Sequence, residues 1–273
     1  MIGIVDLSGG FGNHLFQYSF ALYLKKYGVK VFLYNPEKKY YFNCKDFNLN
    51  ELNYFFLIIL KLLKKFKFFY KYYKIFTSHE ILEKKLKIED FYLNSKIVSF
   101  NGFFQDYNLV VENFSEIKSN LIKNIENPLN KDEVPNGNTL IHVRRTDYLE
   151  QKEELSIDYY IKAISYCEEN IKDFTFDVYT DDYEWVSQQN IFKKAQYIEK
   201  SENILERKEE AVNSVFRKMM KYNNYIIANS TYSWWAAILN ERSSSVIVQP
   251  KPFYKWVTNA NLLVPNWIKI ARK

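Results

Sequence analysis

Two adjacent arginines, Arg144 and Arg145, are the residues of this chain whose type and spacing most directly indicate chemistry. Arginine occurs six times in 273 residues and lysine 32 times, so the pair stands out against a background of lysine. Neighbouring guanidinium groups present planar, forked N–H donors that match phosphate oxygens. The pair therefore predicts a site for a ligand that carries phosphate.

Polar residues follow three apolar runs of the sequence, each at the point where a strand is predicted to end. The three clusters are Arg144–Tyr148, Thr180–Asp182 and Asn229–Ser233. In an open parallel sheet, ligands bind beyond the carboxyl ends of the strands, so these clusters are expected to meet at one edge. Surface ion pairs or a simple turn can explain each cluster alone, but they do not predict a shared edge.

Together the clusters suit a nucleoside diphosphate. Ser230, Thr231 and Ser233 are expected at a helix N-terminus, where hydroxyls and free backbone N–H groups bind anions. Asp181 or Asp182 can accept hydrogen bonds from a nucleobase or a ribose hydroxyl. The chain lacks a phosphate-loop lysine pattern and the glycine spacing of dinucleotide-binding loops, which disfavours an ATPase or a dehydrogenase.

The elements that must position these residues follow an α/β pattern. The amino-terminal part begins with a strand at Ile2–Val5, a glycine loop at Gly9–Gly12, a helix to about Tyr27 and a strand at Val29–Leu33. Further strands are predicted at 139–143, 174–179, 225–228 and 245–248, and helices at 157–170, 208–222 and 232–240. Trp234 and Trp235 are predicted to lie in the core. The alternation predicts parallel, doubly wound sheets.

Proline and glycine break the pattern between residues 128 and 137, which predicts two domains, 1–134 and 135–273. The first contains an unusual segment, residues 54–76, that has six lysines and no acidic residue. Lysines spaced by three and four residues predict a helix with one basic side and aromatic residues elsewhere. Such a helix can lie on an anionic membrane or pack in the core with a solvated lysine face.

Composition restricts the class of protein. The chain is 47% hydrophobic and 26% charged, with a net charge of +6, which excludes a disordered chain. Cys44 and Cys167 are too few for a disulfide framework and lack metal-ligand spacing. The first residues are typical of a strand and not of a secretion signal. A cytoplasmic protein is therefore expected, with peripheral contact to the inner face of the cytoplasmic membrane as one possibility.

Three motifs resemble the α-1,2-fucosyltransferases of glycosyltransferase family 11 in their order along the chain. They are Gly9–Tyr18 (Gly-Gly-Phe-Gly-Asn-His-Leu-Phe-Gln-Tyr), His142–Tyr148 (His-Val-Arg-Arg-Thr-Asp-Tyr) and Asn229–Trp235 (Asn-Ser-Thr-Tyr-Ser-Trp-Trp). Gly102–Gln105 also resembles an aromatic-glutamine segment of that family. The chain departs from the family pattern at His14, at Thr146 and after Trp235.

The resemblance implies a fold of the GT-B type, with two Rossmann-like halves and a cleft between them. The amino-terminal half would face the acceptor and the carboxyl-terminal half would bind the donor. It further implies an inverting transferase that moves L-fucose from GDP-fucose to the 2-hydroxyl of a β-galactoside. That acceptor would belong to a surface glycan precursor or a lipid-linked oligosaccharide. The resemblance implies no cofactor and no metal.

The resemblance also implies roles for individual residues. Arg144 would hold the β-phosphate, His142 and Arg145 would support the diphosphate and the nucleoside, and Asp182 would read guanine. Ser230, Thr231 and Ser233 would line the phosphate pocket. The glycine loop would contribute Gly10, Gly12 and Asn13 to the donor site. Asp147 would orient these groups or contact the sugar.

The general base stays open among Asp147, Glu150 and His14; the last of these is expected in the loop that faces the cleft. Arg144, Asp147 and His14 form the predicted catalytic set. Three alternatives to a fucosyltransferase also stay open: a transferase for another GDP-linked sugar, a nucleic-acid-binding protein suggested by the basic aromatic segment, and a glycan-binding protein without turnover. The fucosyltransferase prediction itself includes no nucleic-acid partner.

Overall fold

The computed structural model describes residues 1–36, 41, 49–52, 73–77, 80–81, 96–125, 135, 137–200, 209–256 and 260–273. The chain forms two compact units. The amino-terminal unit comprises Met1–Glu126 and Asn259–Asn261, and the carboxyl-terminal unit comprises Asn127–Thr258 and Leu262–Lys273. The predicted boundary after residue 134 falls in the stretch 126–134, outside the described residues, and stays a prediction.

The amino-terminal unit contains a sheet of five parallel strands. They are β1 (Ile2–Asp6), β2 (Lys30–Tyr34), β3 (Asn50–Glu51), β4 (Tyr73–Thr77) and β5 (Ile97–Asn101), in the order β3-β2-β1-β5-β4. Its described helices are α1 (Phe11–Lys26), α2 (Tyr107–Glu112) and α3 (Phe114–Ile125). The opening strand, the end of the helix and the second strand predicted from the sequence are confirmed to within one residue, but the helix begins earlier than predicted, at Phe11.

Helix α1 packs on this sheet and is apolar on most of its surface. Leu15, Phe16 and Leu24 are fully buried, and Phe20 lies against the ring of Phe100 on β5 with their centroids 5.2 Å apart. A helix that is apolar nearly all round must be covered on several sides. It therefore fixes the glycine segment at its amino end against the carboxyl edge of the sheet.

The helix predicted over residues 54–76 is wrong at its carboxyl end. Tyr73–Thr77 form strand β4, which pairs in parallel with β5 from Tyr73 opposite Ile97 to Thr77 opposite Asn101. Aromatic and β-branched residues favour a strand, and here pairing with β5 outweighs the lysine spacing that suggested a helix. Residues 53–72 lie outside the described residues, so the rest of the helix and its membrane contact stay predictions.

The carboxyl-terminal unit contains a sheet of six parallel strands. They are β6 (Thr139–Val143), β7 (Phe176–Thr180), β8 (Tyr197–Lys200), β9 (Asn224–Ile226), β10 (Ile247–Lys251) and β11 (Ile268–Ala271), in the order β11-β10-β9-β6-β7-β8. The helices of this unit are α4 (Thr146–Glu150), α5 (Ile157–Asn170), α6 (Tyr183–Gln188), α7 (Glu209–Met219) and α8 (Thr231–Asn240), with a 3₁₀ turn at Asn190–Lys194.

Strand order in this sheet reverses at β6. The chain runs outward from β6 through β7 to β8 and then returns to place β9 on the other side of β6. Such a switch point leaves a crevice at the carboxyl ends of the strands, where α/β proteins bind ligands. The strands and helices predicted for this half are confirmed with small shifts at their ends.

The core of this unit is aromatic. Trp234 and Trp235 are fully buried, as predicted, and the indole N–H of Trp234 donates to the carbonyl of Leu262 at 2.9 Å. Tyr159 is also fully buried, and its hydroxyl donates to the carbonyl of Ile227 at 2.7 Å. These contacts hold the start of α8 and the end of β9 in fixed positions.

Across the parts of the chain that the structure describes, no helix combines the length and apolarity needed to cross a membrane.

Candidate functional site

The three polar clusters of the carboxyl-terminal unit meet at one edge of its sheet, as predicted. Arg144, after β6, pairs through Nη1 with Oδ2 of Asp181, after β7, at 2.8 Å. Tyr148, also after β6, donates its hydroxyl to the carbonyl of Asn229, after β9, at 3.1 Å. Residues separated by 37 and 81 positions are therefore brought into direct contact.

Arg144 lies at the centre of this edge. Its Nη2 contacts Oδ1 of Asp147 at 2.7 Å, in addition to the pair with Asp181. Only 11% of its side chain is exposed, whereas 45% of the Asp147 side chain is exposed. A guanidinium has five N–H donors, and these two ion pairs use about two of them. The group is thus fixed in orientation and keeps donors for an anionic ligand.

Asp181 fixes the turn that carries both arginines. Its Oδ1 accepts from the backbone N–H of Arg145 at 2.9 Å, and its Oδ2 accepts from the hydroxyl of Thr146 at 2.6 Å. Burial opposes ionisation of Asp181, but the charge of Arg144 and these hydrogen bonds outweigh burial and lower its pKa. Sequence reasoning offered Asp181 as a partner for a nucleobase or a ribose hydroxyl. Its structural role depends on a contact with Arg145 across 36 residues.

Arg145 points to different neighbours from Arg144. Its Nε donates to Oδ2 of Asp182 at 3.1 Å, and its guanidinium lies 3.9 Å from the ring centroid of Trp185. Asp182 in turn caps α6, because its Oδ1 accepts from the backbone N–H of Trp185 at 3.1 Å. The two guanidinium groups therefore belong to one sequence motif but have different partners. The role of Asp182 in reading guanine stays a prediction.

Helix α8 begins directly beside this cluster. Ser230 is its N-cap, and its hydroxyl oxygen accepts from the backbone N–H of Tyr232 at 3.3 Å. Ser233 is fully buried and donates its hydroxyl to the carbonyl of Ser230 at 3.3 Å. Thr231 is the first residue of the helix. The helix N-terminus predicted to bind an anion is therefore present at the predicted place.

His142 lies on β6 and is 7% exposed. The hydroxyl of Tyr160 donates to its backbone carbonyl at 3.3 Å, and its ring lies 6.4 Å from that of Tyr232 on α8. The imidazole is thus positioned between β6 and α8, at the same edge as Arg144. Its support of the diphosphate stays a prediction.

A buried charged cluster around Glu153 was missed by sequence reasoning. The Glu153 carboxylate pairs with Nη1 of Arg272 at 2.7 Å and accepts from the backbone N–H groups of Lys255 and Trp256 at 2.8 and 3.1 Å. The side-chain amide of Asn229 donates to the Glu153 carbonyl at 2.7 Å. Asn229 precedes the N-cap Ser230, so the cluster fixes the entry to α8. No local sequence signal links residues 153 and 272.

In the amino-terminal unit, the glycine segment lies at the carboxyl end of β1. Gly9 has a φ of +77°, a left-handed conformation that favours glycine, and an added Cβ would lie 2.6 Å from Nδ2 of Asn13. Gly10 precedes the first residue of α1, and an added Cβ there would have no atom within 4 Å. Gly12 and Asn13 belong to the first turn of α1. The contribution of Gly10, Gly12 and Asn13 to the donor site stays a prediction.

The expectation that His14 lies in a loop is wrong. The residue belongs to α1, is fully buried, and packs its ring against that of Tyr41 with the centroids 5.0 Å apart. The helix begins at Phe11, earlier than the glycines suggested, because only Gly9 needs the left-handed backbone. The role of His14 as a base stays a prediction, as does that of the exposed Glu150 on α4.

Two glutamines tie the motifs of this unit together. The carboxamide of Gln17 accepts from the backbone N–H of Ser8 at 3.1 Å and donates to the carbonyl of Gly102 at 2.9 Å. Gln105 donates through Nε2 to Oδ1 of Asn13 at 3.0 Å. The segments after β1 and β5, which both resemble family motifs, therefore form one structure at the edge of the sheet.

Among the described residues, no group of three or more His, Cys, Asp or Glu side chains is arranged to hold a metal ion. Cys167 is a buried free thiol in α5, and burial raises its pKa to about 12. Such a thiol is protonated at neutral pH and is a poor nucleophile.

Two α/β units, each built on a parallel sheet, define a glycosyltransferase fold of the GT-B type. The same fold is found in a crystal structure of NodZ alpha-1,6-fucosyltransferase soaked with GDP-fucose, with a TM-score of 0.52 over 88% of this chain and 92% of that chain, at 14% identity. The family model for glycosyl transferase family 11 matches residues 4–271, and the chain belongs to that family.

Two curated relatives from Escherichia coli align over nearly their whole length. An O-antigen biosynthesis glycosyltransferase, WbnK, is 29% identical over 97% of this chain and 99% of its own. An alpha-1,2-colitosyltransferase is 27% identical over 93% of both chains.

Proposed function

We propose that this glycosyltransferase moves L-fucose from GDP-fucose to the 2-hydroxyl of a β-galactoside in a surface glycan precursor. The observation that carries the proposal is the fixed guanidinium of Arg144 beside the N-terminus of α8. The name of the relative WbnK, which refers to O-antigen biosynthesis, supports a surface glycan as the acceptor. The alpha-1,2 linkage named for the second relative supports transfer to a 2-hydroxyl.

Arg144 and α8 have properties that suit the leaving group. When the bond between the sugar and the diphosphate breaks, negative charge grows on the β-phosphate oxygen. The Arg144 guanidinium is held by Asp181 and Asp147, so it need not reorganise as that charge develops. Backbone N–H groups at the start of α8 add a partial positive charge. We propose that these groups act without a metal ion and that no cofactor is needed.

The displacement inverts the anomeric carbon in one step. The acceptor oxygen forms its bond to that carbon on the face opposite the diphosphate, and the hydroxyl proton passes to a base late in the reaction. The base stays a prediction among Asp147, Glu150 and His14; of these, Asp147 pairs with Arg144, the group assigned to the leaving diphosphate. Asp182 is assigned to the guanine base, and His142, Arg145, Ser230 and Thr231 to the diphosphate and nucleoside. The fully buried Ser233 supports the N-cap Ser230 from behind.

A donor screen tests the proposal most directly. Purified protein is incubated with GDP-fucose, GDP-mannose, UDP-galactose or ADP-glucose, each with and without lactose, and the released nucleoside diphosphate is measured. Release from GDP-fucose that depends on lactose is expected, and it should persist in EDTA. Release from a UDP- or ADP-linked sugar alone would contradict the donor assignment. Complete loss of activity in EDTA would contradict the metal-free mechanism.

A second candidate is a transferase for another GDP-linked deoxysugar. It is favoured by the similarity to an alpha-1,2-colitosyltransferase over 93% of both chains. The two candidates share the Arg144 chemistry and differ only in the sugar. GDP release that is fast with another GDP-linked deoxysugar and absent with GDP-fucose would select the second.

A further inference from the structure

The backbone after β5 makes a turn that places an aromatic ring at the surface. Gly102 has a φ of +130°, and Phe104 has a φ of +51°. A bulky residue with positive φ is strained and persists only where its surroundings enforce it. Phe104 is fully buried and stacks on Phe20, with their centroids 3.9 Å apart. Between these two residues, Phe103 is 42% exposed.

Contacts on both sides hold this turn in place. The Gln17 carboxamide donates to the carbonyl of Gly102 at 2.9 Å, on the amino side of Phe103. On the carboxyl side, the carbonyl of Gln105 accepts from the backbone N–H of Asn261 at 2.9 Å. Phe103 is therefore presented by a rigid turn, and its exposure is built into the fold.

The ring lies in a defined polar setting at the carboxyl edge of the sheet. An added Cβ at Gly9 would lie 3.2 Å from Cε1 of Phe103, so the ring lies against the glycine backbone. Beside it, the carboxamides of Asn13 and Gln105 are joined at 3.0 Å. The space at Gly10 is open. An aromatic face with carboxamides and open backbone next to it has the chemistry of a surface that binds a neutral sugar.

We propose that Phe103 is a stacking platform for a sugar ring of the acceptor glycan; this inference rests on the proposed function. A pyranose has one face rich in C–H groups, which carry partial positive charge and are attracted to the negative face of an aromatic ring. Its hydroxyls can hydrogen-bond to carboxamides and backbone groups. One ring among polar groups is smaller than the apolar patches that mark protein interfaces, which favours a sugar over a protein as the occupant.

Steady-state kinetics of Phe103→Ala test this platform. With lactose as the acceptor, the acceptor KM is expected to rise about fivefold to tenfold, as the loss of one stacking contact predicts. The KM for GDP-fucose should stay within twofold of wild type, about the error of such comparisons. Phe103→Tyr keeps the aromatic face and should restore the acceptor KM.

Tyr27→Ala is a matched control, because Tyr27 belongs to the same unit, is 44% exposed, and lies at the opposite end of α1. It should leave both KM values unchanged. An unchanged acceptor KM in Phe103→Ala, or an equal rise in both KM values, would overturn the platform while leaving the proposed function intact.

A binding measurement separates the platform from the donor assignment. Saturation-transfer NMR is recorded with lactose and GDP on the wild type, on Phe103→Ala and on Tyr27→Ala. Loss of the lactose signal in Phe103→Ala alone supports the platform even if GDP-fucose proves not to be the donor. No lactose signal from the wild type, or equal signals from all three proteins, would overturn it.

Discussion

The carboxyl edges of the two sheets are built from different chemistry. In the carboxyl-terminal unit, the segment after β6 is held by the carboxylates of Asp181 and Asp147, which pair with Arg144. In the amino-terminal unit, the segments after β1 and β5 are held by the carboxamides of Gln17 and Gln105. The first edge is organised by ion pairs, and the second by neutral hydrogen bonds.

This difference matches the two kinds of substrate that a glycosyltransferase combines. A diphosphate is recognised by fixed positive charge, and a guanidinium keeps its orientation only when carboxylates hold it. A glycan hydroxyl is neutral, so carboxamides and an exposed ring suit it without the desolvation penalty of a buried charge. The comparison therefore predicts that substitutions of Arg144 at the first edge affect the donor and that substitution of Phe103 at the second edge affects the acceptor.

The largest effect is expected at the charged edge. Arg144→Ala should lower kcat for transfer from GDP-fucose about 10²- to 10³-fold, because it removes a preorganised donor to the leaving diphosphate. Arg144→Lys keeps the charge but loses the forked N–H donors, so its kcat should lie between those of the wild type and Arg144→Ala. Initial rates of GDP release measure both variants.

Arg242→Ala serves as the control for Arg144. Arg242 lies in the same unit, is exposed, and donates through Nη1 to Oδ1 of Asn223 at 2.8 Å, so the rate should be unchanged. A near-normal rate of GDP release by Arg144→Ala would show that the charged edge does not bind the donor.

A smaller effect, on stability, is expected at Asp181. Asp181→Asn leaves the buried Arg144 without its main partner and should lower the free energy of unfolding by about 3 kcal/mol. Urea denaturation measures this change. The exposed pair of Glu168 and Lys194 is the control, since Glu168→Gln should cost less than about 0.5 kcal/mol.

The pH dependence of unfolding gives a second test of Asp181. Its pKa in the folded chain lies below the unfolded value of about 3.9, so its contribution is complete above that pH. The contribution is lost as the pH falls through the folded pKa. The wild type should therefore lose stability below about pH 4 more steeply than Asp181→Asn. Parallel curves would show that the carboxylate does not stabilise the arginine turn.

The smallest effects are expected at the neutral edge. Gly9→Ala forces a side chain into a left-handed conformation, with its Cβ 2.6 Å from Asn13 Nδ2, and should cost about 1–2 kcal/mol. Gly10→Ala meets no atom within 4 Å and should cost less than about 1 kcal/mol. Thermal unfolding compares the two variants. Equal losses of stability in the two variants would show that Gly9 does not have the left-handed backbone conformation described above.

Sequence reasoning identified the elements that are defined locally. The strand Thr139–Val143 and the helix Ile157–Asn170 were predicted with the bounds that they have, because apolar runs and helical periodicity are local signals. The meeting of Arg144 with Asp181 was also foreseen in outline. It follows from the rule that the carboxyl ends of parallel strands share an edge.

Other contacts between distant residues were not foreseen. Gln17 and Gly102 are 85 residues apart, and Glu153 and Arg272 are 119 residues apart. These pairs depend on strand order and register, which single-residue patterns do not contain. The helix predicted where β4 forms was wrong for the opposite reason. The helical spacing of lysines is a local signal, and pairing of β4 with β5 overrode it.

The chain returns to the amino-terminal unit at Asn259–Asn261, and this return affects the order in which the two units finish folding. The backbone N–H of Asn261 donates to the carbonyl of Gln105 at 2.9 Å. The carbonyl of Asn261 accepts from the backbone N–H of Tyr107 at 2.8 Å. Synthesis proceeds from the amino terminus, and domains generally fold as units in that order. The turn that carries Phe103 cannot make these bonds until residue 261 has left the ribosome. The amino-terminal unit is therefore begun first and finished last.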